Sequence, residues 1–126
     1  MNVRAMTAYT ERLRRLSIND RRFLDEVLSG RSLGEAADVE LDPRTCAIAR
    51  VVALVALDGP QSAFDCAVSA ALATGATPED IVDALVAVGP TVGSSHLVSA
   101  APKLAMSLGY DVAADLELIE PIAAPH

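Results

Sequence analysis

The sequence predicts an all-α fold, a small antiparallel helical bundle of about six to seven helices. Three observations carry this expectation. Apolar residues recur at spacings of three and four instead of alternating, as in Tyr9, Leu13 and Leu16. Glycine and proline corners between apolar stretches are short and carry helix caps, which makes neighbouring helices antiparallel. The composition is 52% hydrophobic but only 3% aromatic, without tryptophan, so the core must be built from small aliphatic side chains.

Residues 7–16 read as a first helix, and Ser17 to Asp20 as a capping cluster. Phe23, Leu24, Val27 and Leu28 then form a second amphipathic stripe that Gly30 ends. The stretch from Arg31 to Glu40 reads as a connecting loop with one turn of helix. Asp42 is an N-cap with Pro43 at the first helical position. The helix over 43–57 is apolar on nearly every side, which predicts a central helix, and Asp58-Gly59-Pro60 breaks it. The next helix spans 61–74 and stops at Gly75, which takes a left-handed conformation without a Cβ clash. Thr77, Pro78 and Asp80 then cap a helix over 78–88, with Glu79 and Asp80 suited to the positive end of its dipole. Gly89-Pro90 is expected to end it. A helix over 93–108 follows, with Gly109 beyond its end, and Asp111 caps a short one over 112–119. The tail from Pro121 to His126 is expected to fray.

A chain of 126 residues fits one domain: N-terminal helices over 1–40, a core over 41–109, and a short helix and tail over 110–126. Net charge is −7 and unevenly placed: the first 31 residues hold seven basic and four acidic residues, the remainder three basic and thirteen acidic. An acidic body argues against nucleic acid as a partner. Arg12, Arg14, Arg15, Arg21 and Arg22, interleaved with acids, read as a solvated face, with a docking arm for a macromolecular partner as the competing reading. The longest apolar run, Cys46 to Leu57, is short and broken by Arg50, so no membrane segment and a cytoplasmic location are expected. Two cysteines make no disulfide scaffold and fit a reducing compartment. So much small apolar surface predicts a homo-oligomer.

The pieces LDPRT, the apolar helix after it, AALATGATPEDIVDAL and VGPTVGSSH occur here in order between Leu41 and Gly109. In this the chain resembles the carboxymuconolactone decarboxylase / alkylhydroperoxidase D-like family. The resemblance implies a helical bundle of that type, assembled into trimers or hexamers. Redox members of that family carry a Cys-x-x-Cys with a His four residues on, and a Glu early in the preceding helix. A low-pKa thiolate attacks peroxide, a second thiol resolves it, and His with Glu relays the proton. Counting back from Gly75, the His position is Ala67, the cysteine positions are Ala63 and Pro60, and the Glu falls near Ala47 or Ile48. The redox set is therefore expected to be missing, and the active site degenerate. The lactone decarboxylases of the family need no cofactor, and none is expected here; their acid/base His is likewise replaced by Ala67.

Cys46 and Cys66 lie about eleven residues before and five after the corner at 58–61, which at ~1.5 Å per residue leaves them roughly 9 Å apart along the axis. That exceeds disulfide reach and predicts buried, inert thiols. The candidate catalytic residues that remain are His96, Asp65 and Cys66. His96 stands in the first turn of a helix, where with Ser94 and Ser95 it could hold a small carboxylated ligand or shuttle a proton. A packed or solvated helix-start histidine is the other reading. Asp65 is either a dipole-compensating group or an acid/base partner of His96. Arg50 is read as a structural ion pair or an anion-binding group. No metal-ligand spacing, phosphate loop or Ser-His-Asp arrangement occurs.

Overall fold

The structure, a computed structural model, describes residues 3–29 and 41–110. The loop expected over 31–40, the helix expected over 112–119 and the tail lie outside the described residues. Among the described residues there are six α-helices and no strand: α1 (Val3–Ser17), α2 (Arg21–Leu28), α3 (Pro43–Leu57), α4 (Gln61–Ala73), α5 (Pro78–Val92) and α6 (Ser94–Ser107). The chain divides into two compact units, Met1–Asp42 and Pro43–His126.

In the first unit α1 begins at Val3, a turn earlier than its apolar stripe indicates. It ends on Asn19, at φ +60, with the Asp20 amide donating to the Arg15 carbonyl at 2.9 Å. Asparagine tolerates this left-handed geometry, and the paired bonds satisfy carbonyls that the helix end would leave open. Asp20 then caps α2 by accepting from the Phe23 amide at 3.1 Å. On the exposed face Glu11 takes the Arg14 guanidinium at 2.7 Å and that of Arg15 at 3.2 Å.

The second unit is built from α3 to α6. Each helix turns apolar residues inward: Ala47, Val51 and Val55; Phe64, Val68 and Ala71; Ile81; Ala100 and Leu104. Spacings of three and four keep each set on one face. Phe64 is the largest side chain fully buried, so the expected all-aliphatic core holds one aromatic ring. As expected of a central helix, α3 packs on α4, α5 and α6, and its face through Ala49, Arg50, Ala53, Ala56 and Leu57 is exposed.

Three C-termini here share one closure. At Asp58/Gly59, Gly75/Ala76 and Gly109/Tyr110, the first amide reaches back three residues and the second five. The first residue of each pair has positive φ, +52, +100 and +80 respectively. Gly59 leaves room for Leu54, whose Cδ2 would stand 2.9 Å from a Cβ there and would have to shift to admit one. The corner before α5 matches expectation. Thr77 Oγ1 accepts from the Asp80 amide, and Asp80 Oδ2 accepts from the Thr77 amide, each at 3.0 Å. Such a cap is worth about 1 kcal/mol.

Gly89-Pro90 does not end α5, which continues to Val92 and stops at Gly93, at φ +87. Gly89 instead leaves room for Leu97 of α6, whose Cδ1 would lie 3.2 Å from a Cβ there and would have to give by a few tenths of an ångström. With only Gly93 between them, α5 and α6 form a tight hairpin, and α6 also packs on α3 and α4. No helix among the described residues is long and apolar enough to cross a membrane.

Candidate functional site

His96, Ser99, Lys103 and Ser107 follow one another on α6 at spacings of three, four and four, which places them on one face. That face meets the corner between α3 and α4 and the first turns of α4, and a polar seam forms between them. Ser99 donates to Asp58 Oδ1 at 2.6 Å. Lys103 Nζ donates to the Gly59 carbonyl at 2.9 Å and lies 3.4 Å from the same Asp58 oxygen. Its ammonium also sits 5.9 Å from the centre of the Phe64 ring. Further along, Gln61 Nε2 reaches the Lys103 carbonyl at 2.9 Å, Asp65 Oδ1 at 3.0 Å and Ser107 Oγ at 3.1 Å. Ser107 has one hydroxyl proton, and its 2.7 Å contact with Asp65 is shorter than its 3.0 Å contact with the Lys103 carbonyl.

Both carboxylates of the seam are held ionised. Ser99 donating to Asp58, then Lys103 by hydrogen bond and charge, and then His96 by charge, keep its carboxyl below the usual carboxylate range. Asp65 is lowered in the same sense, first by Ser107 and then by Gln61.

At the α6 N-terminal end the seam opens into a cleft of about 150 Å³ lined by Asp58, Ser95, His96 and Ser99. The hydrogen bonds to the Asp58 carboxylate all fall on Oδ1. Among the described residues the His96 ring and the Ser95 hydroxyl make no hydrogen bond, and His96 is half-buried. Acceptor and donor groups thus converge on one small space from two elements.

The residues singled out from sequence are distributed unevenly over this arrangement. His96 and Ser95 line the cleft, while Ser94 is exposed and does not. Asp65 bonds Ser107, which lies about 16 Å from His96 along the helix axis at ~1.5 Å per residue. The acid facing His96 is therefore Asp58. Cys66 is exposed and Cys46 half-buried, and they form no disulfide with each other, so the expectation that both are buried is corrected. The buried stripe of α4 runs through Phe64 and Val68, and Cys66 points away from it. Arg50 is exposed and makes no ion pair among the described residues. No group of three or more His, Cys, Asp or Glu among the described residues could hold a metal ion. Sequence reasoning missed Asp58, Gln61, Ser99, Lys103 and Ser107. The spacing of polar residues along α6 was the available signal.

A second, apolar depression of about 430 Å³ lies between α5 and α6, lined among others by Val82, Leu85, Leu104, Leu108 and Tyr110.

Four helices around an apolar core, with a polar seam on one side, define a small helical-bundle protein. The model of the carboxymuconolactone decarboxylase family matches residues 26–105, and the chain belongs to that family. No curated protein and no solved structure matches it.

Proposed function

We propose that this is an oligomeric, small-ligand-binding member of the family that does not run the Cys-x-x-Cys peroxidase cycle. The supporting observation is what stands at the motif positions. Pro60 is the N-cap residue of α4, Ala63 and Ala67 are half-buried on the same helix, and the only two thiols sit on different helices. A thiol peroxidase needs a resolving thiol within reach of the attacking one, and Cys66 has none on its own helix. The test is an organic hydroperoxide assay with a dithiol reductant. The expected result is consumption no faster than in buffer. Saturable turnover that disappears in Cys66→Ala or Cys46→Ala overturns the reading.

The Asp58–His96 juxtaposition favours one alternative, a cofactor-free enzyme using acid/base chemistry. An imidazole that accepts a proton from a carbon acid is stabilised, as imidazolium, by a fixed carboxylate beside it. In that reading His96 is the base, and Asp58 takes the role first given to Asp65. Deuterium exchange at the carbon next to the carbonyl of a small lactone, followed by NMR, checks it. Exchange above the buffer rate and abolished by His96→Gln is expected; equal exchange with both proteins dismisses it.

A further inference from the structure

We propose that the cleft between Asp58 and the first turn of α6 binds a small uncharged molecule carrying both a hydrogen-bond donor and an acceptor, of the amide or hydroxy-carbonyl class. The proposal rests on the ligand-binding reading above and names its site and ligand chemistry.

Size sets the first limit. A space of about 150 Å³ is of the order that a benzene-sized molecule occupies, so a fragment of about four to six heavy atoms fills it.

Charge sets the second. Asp58 is ionised, and Lys103, 3.4 Å from its Oδ1, supplies the compensating charge from inside the seam. An anionic ligand entering the cleft faces the Asp58 carboxylate, and Lys103 is already engaged by Asp58 and by the Gly59 carbonyl. A cationic ligand competes for a carboxylate that Lys103 and Ser99 already engage. A neutral molecule meets neither penalty.

Polarity sets the third. Asp58 Oδ2 is an acceptor, the Ser95 hydroxyl a donor or acceptor, and the His96 ring offers one of each when neutral. These groups bond nothing else among the described residues. Of these, Asp58 is held in place beforehand, by its helix-closing backbone at φ +52 and by the Ser99 bond. A pre-ordered group reduces the entropic cost of binding.

Three near-isosteric probes separate the possibilities: propionamide, propionate and propylammonium, each titrated into the full chain and followed by amide NMR shifts. Saturable shifts with propionamide at Asp58, Ser95, His96 and Ser99 are expected, with a millimolar Kd given so few atoms. Each charged probe should bind at least tenfold more weakly. His96→Gln and Ser95→Ala should each weaken propionamide at least threefold while leaving the remaining amide spectrum in place. Absence of saturation, shifts centred elsewhere, or equal binding of a charged probe overturns the proposal. These outcomes do not depend on the hydroperoxide assay, so turnover there defeats the ligand-binding reading while a silent titration defeats this site alone.

Discussion

Asp58 occupies a backbone position that glycine takes at two other helix ends of its unit and asparagine takes after α1. An aspartate tolerates positive φ better than most side chains, but glycine would adopt it at no steric cost. What aspartate adds is a carboxylate fixed against α6. The lowered carboxyls of Asp58 and Asp65 carry a pH signature whose sign follows from linkage. A carboxyl whose folded pKa lies below its unfolded one stabilises the fold above the unfolded value. That contribution is lost as pH falls through the folded value. Thermal unfolding followed from pH 7 downwards should therefore show a level midpoint until about pH 4, the ordinary carboxylate range, and a decline below it. Asp58→Asn and Asp65→Asn should each lower the neutral-pH midpoint and flatten that acid decline; an unchanged acid limb in both variants removes the seam as a source of stability. Glu11, drawn from 4.5 to about 2 by Arg14 and then Arg15, gives the same sign in α1, its pairing fading between those values. In the sequence, His96 and Ser95 stood out because a histidine after serines at a helix start is a recognisable pattern. Asp58 did not, because Asp-Gly-Pro reads as a helix stop, and it is one. Its second role depends on α6 lying against that corner, a contact between residues 41 apart.

Helix ends were legible where the local chemistry is self-contained. The Thr77-Pro78-Glu79-Asp80 start of α5 needs nothing beyond its own four residues, and the structure shows both halves of its capping box. Gly75 and Gly109 close their helices for equally local reasons. The misplaced end of α5 shows where that reasoning stops. Pro90 lacks an amide and so forgoes one bond to the turn before it, yet the backbone continues helical for two more residues. Half-buried Val92 packs against the core and favours that extra length, and Gly93 supplies the real stop. Gly89 looked like half of a breaker. Its missing side chain serves Leu97 on the facing helix, a tertiary demand with no local trace. The same distinction explains α3. Its uniform apolarity predicted a central place but not which face is covered, and the four-helix unit fully buries only the stripe through Ala47, Val51 and Val55.

At the scale of the whole molecule, the exposed apolar side chains pose the largest energetic question. Leu57, Val86, Val98 and Met106 are 77%, 67%, 73% and 68% exposed, and they lie on four places of the helical surface away from the buried stripes. Burial of one such side chain is worth about 1.5–3 kcal/mol, so association that covers several of them has a substantial driving force. A net charge of −7 opposes indiscriminate clumping, and soluble oligomers mostly have closed symmetry. We therefore expect light scattering after gel filtration to give a small whole-number multiple of the 13.1 kDa chain mass. The apparent Tm should rise with protein concentration, since subunit association stabilises the folded state by mass action. Substitutions Leu57→Asp, Val86→Asp and Val98→Asp are made at positions already open to solvent, so helicity should persist in all three. At least one should shift the mass towards the monomer. A wild-type chain that is monomeric at tens of micromolar, with full helicity and a concentration-independent Tm, would show that these side chains remain in water.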